Sequence, residues 1–253
     1  HPFAQPVVPP PSEPVPRVAP SGGAKPPAAI AEDEDTNDPI EPVNRFVFGF
    51  NEIIFRFILG PFAKTYNWAL PEFFRDGVSN FLDNINSPVI LANDLLQGEL
   101  ERAWETSARL VINSTVGVGG LIDVGDRLGF KPHKEDFGQT LAVWGVGEWF
   151  YLVLPIYGPS SPRDAVGKLV VDNYFDPLGL WLDNNGSDAL KWSWTGVSGV
   201  VTYADLVEDL DRVRETSVDF YGALRSLYRQ QRQAEISNGK AVSTVPNFDL
   251  DMD

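Results

Sequence analysis

The stretch "DPIEPVNRFVFGFNEIIFRFILGPF", residues 38–62, decides the fold, because five phenylalanines fall within twelve positions while charged and amide residues interrupt every apolar run. From residue 43 to residue 58 the apolar positions recur at i, i+3, i+4 and i+7, which is the spacing of one face of an α-helix. Asp38-Pro39 indicates the start of this helix and Gly60-Pro61 its end. At about 100° per residue the polar positions gather on one side, in a polar stripe that consists of Asn44, Arg45, Asn51, Glu52 and Arg56.

This amphipathic pattern leaves two interpretations open. The helix is either the core of an all-helical domain, with its polar stripe paired internally, or it lies in one leaflet of a membrane with its aromatic side in lipid. In the second case the membrane-facing residues are Phe46, Phe50, Ile53, Ile54 and Phe57. A transmembrane helix is not predicted, because the stripe would place charges in the middle of the bilayer and no segment offers about 18 uninterrupted apolar residues. The tryptophans and tyrosines of the middle third favour the membrane interpretation, since such rings are enriched at membrane interfaces.

Composition limits the partners and the organisation of the chain. The 253 residues carry a formal net charge of -15, which argues against binding to nucleic acid and against electrostatic adhesion to anionic lipid. There is no cysteine, so these residues form no disulfide and no thiolate metal site. The first 30 residues contain ten prolines, a composition typical of extended, disordered segments. We therefore expect a disordered proline-rich and acidic tether at 1–37, a folded body at 38–237 and a disordered acidic tail at 238–253.

The body is predicted to be mainly α-helical, with a short β-hairpin as an option. Helical patterns cover residues 71–84, 88–96, 99–113 and 203–237, and the run "QTLAVWGVGEWFYLVLP", residues 139–155, reads as two short strands around a glycine turn. In the helix at 99–113, the residues expected to face inward are Leu100, Ala103, Trp104 and Leu110, while Glu105 and Arg109 form an exposed i, i+4 pair.

Enzyme motifs are weak throughout. "VGVGG" at 116–120 lacks the third glycine of a dinucleotide turn, and "GPSSPRD" at 158–164 is not a nucleophile elbow. His133 could serve as a base for Ser160 or Ser161, oriented by Asp123 or Asp136, but its polar surroundings favour a solvated histidine. Asp123, Asp126 and Asp136 lack the spacing of a calcium loop and are better explained as caps and turns. The sequence thus predicts no enzyme, no metal and no cofactor.

Five segments, taken in order, resemble the signature blocks of the MlaA/VacJ family of outer-membrane lipid-asymmetry proteins. The resemblance covers residues 38–236, the whole folded body. The segments are "DPIEPVNRFVFGFN" at 38–51, "GVGGLIDVGDRLG" at 117–129, "EDFGQTLAVWGVG" at 135–147, "YLVLPIYGPSSPRD" at 151–164 and "VDFYGALRSLYRQQR" at 218–232.

The resemblance implies a helical, ring-shaped monotopic protein in the inner, periplasmic leaflet of a Gram-negative outer membrane, with an amphipathic central channel. It implies an exported protein whose signal peptide is absent from these residues. It further implies partnership with a porin trimer, removal of mislocalised phospholipids from the outer leaflet and their delivery to a periplasmic lipid carrier, without chemistry on the lipid. The Phe-rich face would then contact acyl chains, and the polar stripe would face the ring or channel. Residues 163–194 would match a helical hairpin beside the channel, with channel-adjacent turns at Gly117, Gly119, Gly120 and Asp123.

Two features depart from the family pattern. Members usually carry an acylated cysteine near the start, and these residues have none. We expect either that a preceding segment supplies it or that the proline-rich tether and the apolar faces hold this member at the membrane. Trp149-Phe150 stands where the family pattern leads us to expect a Gly-Pro step, and it could deepen an interfacial contact.

The last helix carries three arginines at i, i+4 and i+7, namely Arg225, Arg229 and Arg232. They could contact a headgroup phosphate or an acidic partner, or pair with acids of neighbouring helices. Two other functions stay open beside the lipid conduit. One is a porin-associated scaffold without lipid transport, and the other is a membrane-bound esterase that uses His133.

Overall fold

The computed structural model describes residues 37–172, 177–184 and 188–238, and over these residues the fold is mainly α with one two-stranded antiparallel sheet. The predicted fold class is confirmed in both parts. The predicted body at 38–237 falls within this range apart from two short gaps. The tether and the tail lie outside the described residues, except for Asn37 and Asn238, so their disorder stays a prediction.

Helices dominate the described part of the chain, with the short hairpin between the sixth and the seventh of them. In chain order the elements are α1 (Glu41–Ile54), a π-helical turn (Phe55–Leu59), α2 (Gly60–Ala69), α3 (Glu72–Gln97), α4 (Leu100–Thr115), α5 (Val124–Arg127), α6 (Phe137–Val143), β1 (Leu152–Leu154), β2 (Gly158–Ser160), α7 (Pro162–Val166), a second π-helical turn (Gly167–Asp172), α8 (Pro177–Asn184), α9 (Asp188–Thr216) and α10 (Phe220–Ile236).

The opening helix is longer than predicted, because α1, the first π turn and α2 form one helix of 29 residues, Glu41–Ala69. The predicted end at Gly60-Pro61 is wrong. A proline ring clashes with the carbonyl four residues earlier in a regular α-helix. Here the Gly60 N–H donates to the Phe55 carbonyl in a wider π turn, which gives the ring room, so the helix continues.

The helices predicted at 71–84 and 88–96 are one helix, α3, with Pro88 in its interior. A proline breaks one helical hydrogen bond, and the packing of α3 along α4 outweighs that loss. Gly98 ends α3 with a φ of 79°, the left-handed conformation that glycine adopts without strain.

Two side-chain directions predicted for α4 are wrong. Leu100 and Trp104 are 70% and 66% exposed. The helical period identifies an apolar face but does not say whether protein or lipid covers it. Arg109 pairs with Asp123 at 2.8 Å rather than forming the expected exposed pair with Glu105.

The hairpin lies later in the chain than predicted. Residues 137–143 form α6, started by the Asp136 carboxylate, which accepts from the Gln139 N–H. The strands are β1 and β2, paired from Leu152 with Ser160 to Leu154 with Gly158. The capping aspartate, rather than the apolar run, decides the conformation at 137–143.

The single helix predicted at 203–237 is two helices, α9 and α10, separated at residues 217–219. Asp219 starts α10 by accepting from the Tyr221 N–H at 3.1 Å. A side chain that satisfies a free amide favours a new helix start over continuation.

The interior of the described fold is unusually polar. Among the described residues the apolar core clusters are small, one around Ala63, Ala204 and Val207 and one around Tyr151 and Val153. The largest fully buried side chains are mostly polar: Gln139, Val207, Asn44, Asn51, Thr140, Asp94 and Ser161. Soluble domains bury their large apolar residues and rarely bury so many polar ones. The polarity of this fold is therefore reversed relative to that of a water-soluble domain.

Candidate functional site

The outer face of helix 41–69 is a large exposed apolar surface, which we call the apolar face. Phe46 and Phe57 are 78% and 68% exposed, and Trp68 is 87% exposed. Ile54 is half-buried at its edge. The other exposed large apolar side chains of this helix are Val43, Phe50, Ile53, Ile58 and Phe62.

This helix is long and apolar enough to cross a membrane by length and composition alone, yet only 17% of its most apolar window is buried. A core helix of a soluble protein would be mostly buried. Contiguous apolar surface of this kind marks a contact with lipid or protein. Many large apolar side chains elsewhere in the described fold are exposed as well, among them Trp104 and Trp149, which are 66% and 71% exposed.

The asparagines of the polar stripe hold the hairpin against α1. Asn44 is fully buried; its Nδ2 donates to the Tyr151 carbonyl at 3.0 Å and its Oδ1 accepts from the Val153 N–H at 2.9 Å. Asn51 repeats the arrangement one strand length on, donating to the Leu154 carbonyl and accepting from the Ile156 N–H. Each amide therefore satisfies two backbone groups that would otherwise be buried without partners.

The charged members of the stripe are mostly paired with later helices. Arg45 contacts both oxygens of Asp219, at 3.1 and 2.6 Å, and Glu52 pairs with Arg214 at 3.0 Å. Arg56 is exposed. The stripe is thus used inside the protein while the opposite side is exposed, so each sequence interpretation describes one side of the same helix.

A polar cavity of about 440 Å³ lies among α3, α4 and the segment from Asp123 to Lys134. Its lining is rich in amides and charges: Asn80, Asp83, Asn84, Asn86, Ser87, Ile90, Thr106, Arg109, Asn113, Asp123, Pro132, His133 and Lys134. A cavity of this size with several convergent polar groups is typical of a ligand site.

Two carboxylates of the cavity have opposite pKa shifts. Burial opposes ionisation of Asp123, but hydrogen bonds from the Asp126 N–H, Arg109 and Asn113 outweigh it and lower the pKa of this carboxyl. Desolvation raises the pKa of Asp83 against the opposing charges of Lys134 and Arg109. The cavity therefore holds one carboxylate that is paired with Arg109 and one that makes no ion pair among the described residues.

The predicted turn residues lie beside this cavity. Gly119 and Gly120 have φ values of 72° and 98°, which an L side chain adopts only with strain. A Cβ at Gly120 would meet the Cβ of Asn84 at 2.6 Å, whereas a Cβ at Gly119 would meet nothing within 4 Å. Gly117 is packed against the Asn113 backbone. These turns let the chain pass close to α3 at one wall of the cavity.

His133 is not the solvated residue that the sequence predicts. Its side chain is 11% exposed, and Nε2 lies 3.0 Å from the Asp94 carboxylate and 3.2 Å from the Thr106 hydroxyl. The esterase arrangement is not assembled in the described structure, because the partners of His133 are Asp94 and Thr106. Ser160 donates to the Ser161 carbonyl, Ser161 caps α7, and the two candidate aspartates, Asp123 and Asp136, pair with Arg109 and Arg232. Within the described ranges no three His, Cys, Asp or Glu side chains are grouped to hold a metal ion.

The three arginines of α10 are paired with acids, the alternative to headgroup contact that the sequence leaves open. Arg225 contacts Asp38 at 3.0 Å, Arg229 contacts Glu148 at 2.8 Å, and Arg232 contacts Asp136 at 2.7 Å. Their guanidinium groups join α10 to the start of α1, the segment before the hairpin and the start of α6.

The most buried of these pairs belongs to a network that sequence reasoning missed. Arg232 Nη2 lies 2.8 Å from Asp164, which also accepts from Arg163 and from the Tyr228 hydroxyl at 2.6 Å. Burial opposes ionisation of Asp164, but hydrogen bonds from Arg232 and Arg163 prevail and lower its pKa, and Arg232 lowers the pKa of Asp136 against the same opposition. Gly138 is packed against this network, since a Cβ there would meet Asp164 at 2.6 Å. The residues of this network lie in three of the five signature blocks, those at 135–147, 151–164 and 218–232. That distribution was the signal by which the sequence could have indicated the network.

Residues 163–194 contain α7, the second π turn, α8 and the start of α9, and α8 packs against α9. The helical hairpin that the resemblance implies here stays a prediction. Residues 173–176 and 185–187 lie outside the described part of the chain.

Comparison with known proteins agrees with this arrangement. The model of the family described as MlaA lipoprotein matches residues 36–235. The intermembrane phospholipid transport system lipoprotein MlaA of Escherichia coli is 33% identical over 222 residues, covering 85% of this chain and 84% of its own length. The protein of the same description from Haemophilus influenzae is 31% identical over 226 residues, covering 86% of each. An uncharacterized protein of Rickettsia bellii is 32% identical over 203 residues, covering 80% of this chain and 78% of its own length.

A solved structure from work on the structural basis for maintenance of bacterial outer membrane lipid asymmetry superposes with a TM-score of 0.66. It is 32% identical and covers 79% of this chain and 98% of its own. The five signature blocks, the polar contacts that join four of them and these matches lead to one assignment: the chain belongs to the MlaA lipoprotein family.

Proposed function

We propose that the protein is a phospholipid conduit of the Gram-negative outer membrane. It removes mislocalised phospholipids from the outer leaflet and passes them on, and thereby maintains lipid asymmetry. Its relatives are named as components of an intermembrane phospholipid transport system. The observation that carries the proposal is the reversed polarity of the fold, with an apolar face outside and buried amides and a polar cavity inside.

In this proposal the apolar face of helix 41–69 lies among acyl chains of the inner, periplasmic leaflet. A phospholipid that crosses half a bilayer needs a path that is polar for its headgroup and apolar for its tails. A ring of helices with an amphipathic channel, into which the polar cavity opens, supplies both parts. No bond of the lipid is made or broken, so the role is transport and not catalysis.

The protein works with two partners in this proposal. A porin trimer of the outer membrane holds it in place, and a periplasmic lipid carrier receives the phospholipid.

Helix 41–69 is longer than a helix needs to be to cross one leaflet along the membrane normal. In this proposal it therefore lies obliquely or along the interface, as amphipathic helices do.

The proposal is tested by removing the protein from a Gram-negative cell and measuring phospholipid in the outer leaflet with a membrane-impermeant, amine-reactive label. Outer-leaflet phospholipid should rise on removal and return to normal when the wild-type chain is restored. Restoration by a variant whose cavity is filled, Asn113→Trp, should fail even where the variant reaches the membrane and still binds the porin. Full rescue by that variant would favour the scaffold without lipid transport.

A further inference from the structure

Five described residues other than glycine have a positive φ, and three of them are large and apolar. Asn37 and Asn238 are the other two, and asparagine adopts this conformation at little cost. Val118, Trp149 and Ile156 have φ values of 56°, 67° and 69°, at which β-branched and bulky residues are strained. The same three side chains are 62%, 71% and 59% exposed. A strained residue that presents an apolar side chain outward indicates a contact made outside the chain.

The fold fixes two of these residues at the two ends of β1. Asn37 Nδ2 donates to the Trp149 carbonyl at 2.9 Å, and Asn51 Oδ1 accepts from the Ile156 N–H at 2.7 Å. Asn44 holds the segment between them against α1. Strained backbone persists where the surrounding structure determines it in this way. The side chains of Trp149 and Ile156 are therefore presented from a backbone that three amides hold in place.

The exposed side chains at this hairpin are of the types favoured at a membrane interface. We call Trp149, Ile156 and Tyr157 the hairpin surface. Tyr157 is 56% exposed, and Lys168 Nζ lies 5.5 Å from the centroid of its ring. Tryptophan and tyrosine are enriched where acyl chains meet headgroups, and a lysine there lays its stem on apolar surface while its ammonium stays among polar groups. The chemistry of the hairpin surface thus fits a lipid surface.

The hairpin surface is also within reach of the leaflet that receives the apolar face. Both are carried by α1, which has the apolar face on one side and is bonded to the hairpin on another through Asn44 and Asn51. A helix with its side chains is about 10 Å across. One leaflet with its headgroups is about 20 Å thick, so the same leaflet can contact both surfaces.

We propose that the hairpin surface is a second membrane contact, which inserts Trp149 and Ile156 at the boundary between the headgroups and the acyl chains of the leaflet. The inference rests on the proposed membrane location and adds a contact that helix 41–69 does not provide. Transfer of the two side chains out of water offsets the strain of their backbone. The lipid contacted here is the surrounding leaflet and not the transported molecule, so the hairpin positions the protein and does not select its cargo.

The location of the hairpin is tested with a single fluorophore, because the 253 residues contain no cysteine. Gly147→Cys places an environment-sensitive label beside Trp149 without replacing it, since a Cβ at Gly147 would meet only Trp149 Cδ1, at 3.9 Å. The labelled protein is bound to vesicles of phosphatidylethanolamine and phosphatidylglycerol that contain a lipid with a nitroxide near its headgroup. Quenching should be strong at position 147. It should be weak for the control Gln230→Cys, on the exposed side of α10.

Two substitutions of Trp149 distinguish the ring from the strain. Trp149→Ala and Trp149→Gly both remove the ring, so both should lower partitioning into the same vesicles by about tenfold. Trp149→Gly also removes the strain, so it should melt about 2–4 °C above Trp149→Ala in detergent. Equal melting of the two variants would contradict the strain on which the inference rests.

Two further outcomes would overturn the inference and leave helix 41–69 in the leaflet. One is equal quenching at positions 147 and 230 in vesicle-bound protein, and the other is unchanged partitioning of both Trp149 variants. Shielding of the label at 147 from an aqueous quencher, without quenching by the lipid, would assign the hairpin surface to a protein contact and overturn the inference as well. Failure of the wild-type chain to bind the vesicles at all would contradict the proposed leaflet position too.

Discussion

At the scale of single residues, the fold depends on buried polar side chains that each serve several backbone groups. Asn44 is the clearest case, because one amide satisfies a carbonyl and an N–H of the hairpin that lies more than a hundred residues later. The same amide also donates to Asp38 at 2.7 Å. Such a residue stabilises by leaving nothing buried unpaired.

Replacing Asn44 with alanine should lower the free energy of unfolding by about 2–4 kcal/mol, because it leaves a buried donor and a buried acceptor of the hairpin without partners. The loss is measured by denaturant unfolding in detergent. Gln230→Ala is the control; its amide is exposed and donates to Ser226 of the same helix, so its effect should stay within about 0.5 kcal/mol. Equal effects at the two sites would contradict this role for Asn44.

Two adjacent glycines of the turn beside the cavity allow the energetic cost of backbone strain to be measured apart from that of a steric clash. Gly119→Ala should cost about 1–2 kcal/mol, the effect of a positive φ alone. Gly120→Ala should cost at least about 1 kcal/mol more, because its Cβ would also overlap Asn84. Thermal unfolding of both variants measures the difference. An equal loss of stability in the two would show that Asn84 can move away from the new Cβ without destabilising the fold.

The network of Arg232 predicts a dependence of stability on pH. The folded pKa values of Asp136 and Asp164 are depressed, so the stability that they contribute is present above about pH 4, the ordinary carboxyl pKa, and is lost as pH falls below it. Arg232→Met should destabilise by about 3–5 kcal/mol at neutral pH, since it leaves buried carboxylates without their cation.

In that variant the carboxyl pKa values should rise, so acidification from pH 7 to pH 5 should recover part of the lost stability. Wild type should show little change over the same interval. Urea unfolding at the two pH values measures both slopes. A loss of stability in Arg232→Met on acidification would contradict the assignment of the network's charges.

At the scale of elements, the properties encoded locally could be predicted and those decided by distant contacts could not. The helical period located both ends of α4 and the start of the opening helix within a few residues, but it missed the end of the opening helix and the break between α9 and α10. The continuation through Gly60-Pro61 and through Pro88 was missed, because a π turn and lateral packing offset a proline in ways that no local pattern records. The buried position of His133 was missed because its partners Asp94 and Thr106 belong to α3 and α4, far from it in the sequence.

The same reasoning explains the wrong direction of Leu100 and Trp104. Periodicity reports that a face is apolar, and the identity of its neighbour depends on the tertiary fold and on the solvent. For the candidate site, the residue types at 117–123 could be read from the sequence. The cavity itself could not, because α3 supplies Asp83 and Asn84 from about forty positions earlier in the chain.

The apolar face of helix 41–69 is the element that predicts membrane association. Phe50→Asp removes a 47%-exposed ring from lipid and places a charge there, which should lower partitioning into phospholipid vesicles by about tenfold or more. Melting in detergent should stay close to that of wild type, because the ring is not part of a core cluster. Gln230→Asp adds the same charge on the exposed side of α10 and serves as the control. Unchanged partitioning of Phe50→Asp would refute the leaflet position of this face.

At the scale of the whole molecule, the reversed polarity has one functional reading. Apolar side chains on the outside suit a hydrocarbon environment, and buried amides with a polar cavity suit a headgroup that moves through the protein. Membership of the MlaA lipoprotein family connects this physical arrangement to proteins named for phospholipid transport. The central claim is therefore that the protein carries intact phospholipid.

The measurement that tests this claim most directly is native mass spectrometry of the protein purified from its own membranes in mild detergent, with the bound molecules identified by fragmentation. A conduit should carry intact diacyl phospholipid as wild type and much less as Asn113→Trp, whose cavity is filled, at equal protein recovery. Lysophospholipid or free fatty acid in place of the diacyl lipid would indicate an esterase. Porin alone, with no lipid above that on a detergent-matched control protein, would contradict the conduit and favour a scaffold.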